Sequence, residues 1–392
     1  MFLLNHMKKL APRRILVIVQ RSNGDVFLSS PLIEALFHAY DRPSIDLLVN
    51  SDTLAIARTL PHIEEIHLFS YNEHGKGRGA QTSGLLKKIA RRYDLSINLT
   101  ASDRSVLLAI MSGGVTISAV EHSWKKSWWK RLLLSACYEF DTSRHIVENN
   151  TTALDLLGIR SGKTIVSSCH SPEAAESVEK MLSERGISKF IIFHPGAQYS
   201  YKVYPEKFRN ALLEGLNRLG VSIVVTGSRS ALDLEIKGRL PQLDNVYDFI
   251  GNTSMDELIA LSERSIAYIG ADTLTMHIAA SQNRRIFGIF GPTFVSAWSP
   301  WCNGLGSGTR LNSPLQTYGN VTLFQADMPC VACGKAGCDD NHGISECLYL
   351  IDPDVIINEI DHWITTVLSA GKESENSWQR EVGREERKRR AE

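Results

Sequence analysis

The residues best suited to chemistry fall in four places along the chain. Asp25 closes the run Arg21-Ser-Asn-Gly-Asp25, a carboxylate beside a glycine turn. Lys202 follows the loop His194-Pro-Gly-Ala-Gln-Tyr-Ser-Tyr and precedes Val203-Tyr-Pro205. Asp272, Thr273 and His277 share the run Ile269-Gly-Ala-Asp-Thr-Leu-Thr-Met-His277. A carboxylate can take the proton of an attacking hydroxyl. A lysine, and the free N–H groups of a helix start, can hold a diphosphate and stabilise the charge it gains on leaving. Thr273 and His277 are one helical turn apart and so share a side. The fourth place is Cys330-x2-Cys333-x4-Cys338-x8-Cys347, whose short spacings match a structural tetrahedral metal site, with zinc preferred over an iron–sulfur cluster and free thiols as the alternative. Each of the first three places also has a plain structural reading. Asp25 could cap a helix, Lys202 could be a solvated surface lysine, and His277 could pack against a sheet.

These residues need elements to position them. Ile15 to Val19 is an unbroken aliphatic run, the pattern of a strand buried on both faces of a parallel sheet. Arg21 to Gly24 supplies turn residues, and Val26, Leu28, Leu32 and Leu36 then recur at helical spacing. Strand, tight loop and helix form the first unit of a doubly wound fold, in which ligands gather at the carboxyl ends of the strands. The alternation continues through strands at 45–49, 63–69, 95–99 and 115–120, with Tyr71 to Ser83 read as a surface loop. Composition shifts at 161–172, the expected linker, and a second alternating series follows with strands at 190–193, 221–226, 265–269 and 285–290. The expectation is an α/β chain with two doubly wound Rossmann-like domains, 1–165 and 166–370, facing a central cleft. The charged tail 371–392 is expected to be disordered. Gly196, Gly227 and Gly291 fall in strand-end turns of the second domain and could offer backbone donors to a diphosphate. There is no Gly-x-Gly-x-x-Gly and no Gly-x-x-x-x-Gly-Lys-Ser/Thr, which argues against nicotinamide and ATP-hydrolysing enzymes.

Lys+Arg and Asp+Glu both number 43 in 392 residues, so no global field draws the chain to a nucleic acid polymer. An odd seven cysteines point to a reducing cytoplasm. No stretch approaches the roughly 20 apolar residues of a membrane span, and the N-terminus lacks the order of a signal peptide. His122-Ser-Trp-Lys-Lys-Ser-Trp-Trp-Lys-Arg-Leu-Leu-Leu134 stands apart. Its indoles and bases have the composition of a membrane-interface helix, or of an amphipathic helix with a solvated basic face.

Arg21-Ser-Asn-Gly-Asp25, Lys202-x-Tyr-Pro205, Asp272-Thr-x-x-x-His277 and Phe290-Gly-Pro-Thr293 occur in the order seen in glycosyltransferase family 9, the ADP-heptose:lipopolysaccharide heptosyltransferases, and the resemblance runs from Ile15 to about His362. It implies a GT-B-like fold, with the acceptor on the N-terminal domain and ADP-heptose on the C-terminal one. Transfer would be inverting and would need no metal for catalysis. Asp25 matches the general base, Lys202 the group beside the donor diphosphate, and Asp272, Thr273 and His277 the donor contacts. Leu274 departs from the glycine common at its position. The acceptor implied is an anionic inner-core sugar on lipid A at the cytoplasmic face of the inner membrane. Asn23, Gly24, Arg104, Arg144 and His145 are candidates to bind it, and the tryptophan-lysine segment is the candidate membrane contact. The alternatives are a GT-B-shaped sugar-nucleotide epimerase or hydrolase, and a family 9 transferase using another nucleotide sugar.

Overall fold

A computed structural model describes residues 10–71, 76–160 and 162–366. The 371–392 tail therefore lies outside the described residues. Two sheets organise the chain. The first has the order β3-β2-β1-β4-β5-β6, all parallel: β1 (Arg14–Val19), β2 (Ser44–Asn50), β3 (Ile66–Phe69), β4 (Leu95–Asn98), β5 (Val115–Val120) and β6 (Ala136–Glu139). The second contains β7 (Phe190–His194), β8 (Ser222–Val225), β9 (Val246–Asp248), β10 (Ala267–Ala271), β11 (Arg285–Ile289), β12 (Leu315–Tyr318) and β13 (Val321–Phe324). Its order is β12-β13-β11-β10-β7-β8-β9, parallel except for the β12 edge. Setting β12 aside, both sheets wind outward from their first strand and reverse beside it, between β1 and β4 and between β7 and β10. Those reversals are the topological switch points where a doubly wound sheet binds its ligand.

The central strands form because both faces are covered. Ile15 to Val19 are buried, with Ile15, Val17 and Val19 in one core cluster and Leu16 and Ile18 in another on the opposite face. The shorter strands β6, β9, β12 and β13 escaped the sequence reading because three or four residues give too little periodicity. The helix expected after β1 is broken into Asn23–Phe27 and Ser30–Ala39, separated by Leu28 and Ser29. The stretch read as a loop at 71–83 is helical from Lys76, in the helix Lys76–Ile89, despite Gly77, Gly79 and Gly84. Leu85 and Ile89 bury against the sheet with Leu16, Leu48 and Phe69, and that packing overrides weak propensity. The helix Ile146–Leu157 ends at Gly158, whose φ of +72° places it in the left-handed region that glycine reaches without a Cβ penalty.

The linker after Gly158 runs extended along both halves and joins them. Cys169 N donates to Thr59 O, Ser167 N to Ser30 Oγ, and Asn303 brackets Val166 through both its backbone groups. Ile259, Ile278 and Trp301 of the second half sit in the same core cluster as Val26, Phe27 and Ile33 of the first. The two halves therefore share apolar packing beneath the cleft.

Candidate active site

The Asp25 carboxylate is placed by the turn that follows β1. Ser22 is the N-cap of the helix Asn23–Phe27, and Asp25 is its third residue, completing a capping box. Asp25 is thus not the cap itself. Ser22 Oγ donates to Asp25 Oδ2 at 2.6 Å and Ser22 N at 3.3 Å. Arg21 Nε forms an ion pair with Oδ1 at 2.8 Å. The side chain is almost wholly buried, yet it lines the cleft. A carboxylate held at both oxygens has one orientation, which proton transfer in a fixed geometry requires.

Opposite it, the loops after β7 and β10 build a charged cluster. One turn of 3₁₀ helix, Ser200–Lys202, brings Lys202 Nζ to 2.8 Å from Asp272 Oδ2. Burial works against the ammonium charge, but the Asp272 carboxylate and its hydrogen bond outweigh it and hold the Lys202 pKa above its ordinary value. Asp272 Oδ1 is 3.8 Å from His277 Nε2. Thr273 is the N-cap of the helix Leu274–Ser281 but makes no side-chain cap bond; its hydroxyl turns to Tyr268 at 3.1 Å. The first-turn N–H groups thus lack a side-chain cap, and Thr273, Leu274 and Thr275 line the cleft, an arrangement able to hold a phosphate. That helix packs directly on Asn23–Phe27, so Asp25 and the Asp272–His277 segment are positioned against each other.

The cleft encloses about 1360 Å³ and is lined from both halves. The first half contributes Arg21 to Asp25, and the second Lys202, Gly227, Asp272, Thr273 and His277. Asn23 and Gly24 are therefore at the cleft wall, where a Cβ added to Gly24 would lie 3.9 Å from the Trp298 ring of the second half. Three further residues line the wall: His194 at the end of β7, Arg229 in the turn after β8 and Lys335 in the cysteine loop; the strand-end rule covers the first two, and no local signal marks Lys335. Arg229 Nε donates to Gly251 O at 2.8 Å.

Several expected residues lie elsewhere. Gly196 does not line the cleft: a Cβ there would meet Asp233 Oδ1 at 1.9 Å, so the glycine makes room for the carboxylate that holds Ser228 N at 2.7 Å. Gly291 backs onto Leu348 in the same way. Arg104 lies over the Phe69 and Tyr71 rings and donates to the Tyr71 hydroxyl, away from the cleft wall. Arg144, just ahead of the helix Ile146–Leu157, faces Glu148 and Thr152 in that helix. His145 is buried at the domain junction; its Nδ1 accepts from Val147 N and its Nε2 donates to Ser299 O at 2.8 Å. It caps a helix and ties the halves together. Among the described residues, no three of the sulfurs of Cys330, Cys333, Cys338 and Cys347 come within 4.8 Å of one another. A tetrahedral zinc needs sulfurs about 3.8 Å apart, so the thiols as they stand do not fit that ion.

Burial lowers three histidine pKa values, His145 to about 3, His194 to about 4 and His277 to about 4. Each is neutral when folded at neutral pH, and each takes a proton more readily when unfolded, at its ordinary 6.5. Stability is therefore expected to fall as pH drops below 6.5 and to go on falling until about pH 4, where His194 and His277 protonate in the folded state as well. His170 shifts the opposite way through its hydrogen bonds to Ser171 O and Glu263, one surface group against three buried ones. Denaturant midpoints measured from neutral pH down to about 5 should fall by an amount worth a few kcal/mol, and a flat profile would contradict the neutral buried imidazoles.

The profile of "Glycosyltransferase family 9 (heptosyltransferase)" matches residues 83–314, more than half of the chain. Lipopolysaccharide heptosyltransferase 3 of Escherichia coli is 26% identical over 293 residues, 73% of this chain and 85% of that protein. The crystal structure of a glycosyl transferase family 9 protein from Veillonella parvula superposes with a TM-score of 0.69 at 18% identity, covering 88% of this chain and 95% of that one. The structure of E. coli ADP-heptose lps heptosyltransferase II gives a TM-score of 0.66 at 18% identity over 90% and 99%. The two-domain architecture is thus that of GT-B heptosyltransferases, and the chain belongs to glycosyltransferase family 9, a family of glycosyl-transferring enzymes.

Proposed function

We propose that the protein transfers a heptose from ADP-heptose to an anionic inner-core sugar of a lipid A-linked acceptor, with inversion at the anomeric carbon. The observation that carries this reading is a single cleft with the Asp25 carboxylate on one wall and the Lys202–Asp272–Thr273–His277 cluster on the other. An acceptor hydroxyl entering beside Asp25 attacks the anomeric carbon from the face opposite the diphosphate. The new C–O bond forms as the bond from that carbon to the phosphate oxygen breaks, and ADP leaves with the bonding electrons. The hydroxyl proton passes to Asp25, with Arg21 yielding part of its hold on Oδ1. Lys202 and the open N–H groups of the Leu274–Ser281 helix stabilise the charge gathering on the departing diphosphate. His277, neutral and with Nδ1 unpartnered, can share a hydrogen bond with the sugar or its phosphate. A relative described as an ADP-heptose heptosyltransferase supports the choice of donor. Family membership favours transfer over the epimerase alternative.

Calorimetric titration with a panel of nucleotide sugars tests the donor. ADP-heptose is expected to bind at least about tenfold more tightly than UDP- or GDP-sugars, a difference of about 1.4 kcal/mol. A preferred UDP-sugar would move the reading to another transferase of the same fold.

A further inference from the structure

One surface of the N-terminal half is built unlike the rest. The helices Lys76–Ile89, Asp103–Ser112 and Trp124–Leu133 pack side by side in one layer on the first sheet, the first two burying Leu85, Ile89 and Leu108, the last two Val106 and Trp129. Their outward sides therefore share one plane. In the middle helix Leu107 and Met111, one turn apart, stand exposed. In the tryptophan helix Trp124, Trp128 and Leu132 recur at i, i+4 and i+8 and are 68%, 52% and 75% exposed. Single exposed apolar residues are ordinary, but two indoles and a leucine exposed in one helical row, beside a helix that exposes a leucine and a methionine, are not.

The reason this face points outward is a buried cation. Lys130, one of the basic residues the sequence suggested for headgroups, is fully buried. Its Nζ reaches Asp103 at 2.7 Å, both Glu121 oxygens at 2.8 Å and Ala101 O at 2.5 Å. This clamp fixes the rotation of the helix, turning Trp129 inward and Trp124, Trp128 and Leu132 outward. It also neutralises nearby acids, while Glu139 is taken by Arg131 and His122. Lys125 and Lys126 at one border, and Lys87 and Lys88 at the other, are exposed and have no acidic partner among the described residues. Arg91 and Arg92 extend that second border, their backbones bonded to Met111 O and Ser112 O. An apolar plane with aromatic side chains, bordered by unpaired cations, matches a lipid surface of negative charge.

We propose that this three-helix layer docks on the headgroup region of an anionic phospholipid bilayer. No described helix is long and apolar enough to cross a membrane, so the contact is interfacial. The helices Asp103–Ser112 and Trp124–Leu133 start just beyond the carboxyl ends of β4 and β5, the same sheet edge that carries Asp25 after β1. A bilayer on this layer would lie beside the acceptor side of the cleft. That purpose rests on the lipid-linked acceptor proposed above, whereas the docking itself does not.

The test is co-sedimentation of the full chain with phosphatidylethanolamine–phosphatidylglycerol vesicles and with neutral phosphatidylcholine vesicles. Binding is expected to the first, weaker to the second, and to fall with added salt. The variant Trp124→Ser/Trp128→Ser/Leu132→Ser and the variant Lys125→Glu/Lys126→Glu should each lose roughly tenfold or more in vesicle affinity. Both should keep the donor affinity of the parent in calorimetry, which separates a lost surface from a lost fold and from a wrong donor. Absence of vesicle binding by the parent, or unchanged binding by the serine variant, overturns the proposal. So does a parent that self-associates through this face in size-exclusion chromatography while ignoring lipid, because the occupant is then a second copy of the chain.

Discussion

Asp25→Asn should lower kcat by roughly 10²–10⁴-fold, the range typical for removing a general base. Donor affinity should stay within about twofold, because a base acts on the acceptor hydroxyl and makes no ground-state contact with the nucleotide. Asparagine is the informative substitution because Asp25 has a second task. As the third residue of a capping box it accepts from Ser22 Oγ and N, and an amide oxygen still accepts those bonds. The ion pair with Arg21 is lost, but the guanidinium is about a third exposed and keeps its access to water, and the amide that replaces the buried carboxylate carries no charge to leave unpaired. A stable Asp25→Asn protein without turnover identifies chemistry. Retained turnover in Asp25→Asn removes Asp25 as the base, and parallel loss of donor binding would make it a packing residue at the domain junction. The readouts are ADP release under single-turnover conditions and calorimetric donor binding on the same preparation.

Lys202→Met carries the second large effect. Methionine keeps the length of the stem and removes the charge. If Lys202 stabilises the departing diphosphate, kcat should fall by on the order of 10²–10³-fold. ADP affinity should weaken by about tenfold or more, the scale of a hydrogen bond to a charged group. The structure adds a complication that is useful as a control. Lys202 is paired with Asp272, so its removal leaves a nearly buried carboxylate beside the phosphate site, and repulsion would add to the loss. Combining Lys202→Met with Asp272→Asn separates the two. Partial recovery of ADP binding in the double variant, without recovery of kcat, is the expected pattern. If Lys202→Met binds ADP and turns over like the parent, the lysine is only the partner of Asp272, and the diphosphate must be held by the helix start alone.

Much of this was legible along the chain, and the reason is local. Ile15 to Val19, Phe190 to Phe193 and Ile266 to Ile269 announce buried parallel strands by unbroken apolar runs, and the turns that follow them must lie at carboxyl edges. Asp25, Lys202, Asp272, Thr273 and His277 could be picked out because each sits in or just after such a turn. The same rule applied to the ends of β7 and β8 would have added His194 and Arg229. Residue type alone points to Arg104, Arg144 and His145, and type says nothing about direction. Stacking over Phe69, a neighbouring Glu148 and the Ser299 carbonyl claimed them instead.

The sequence by itself determined two parallel sheets, where their ligand-bearing edges fall, and which charged residues reach them, because strand period, turn chemistry and helix starts are set by near neighbours. Only the tertiary structure decided the rest. The contact between Asn23–Phe27 and Leu274–Ser281 brings carboxylate and phosphate site together across some 250 residues. The oxygens around Lys130 bury a cation that the sequence offered as a surface charge and turn two tryptophans outward. In both cases the deciding partner lies outside the segment it orients, so no periodicity within that segment could have revealed it.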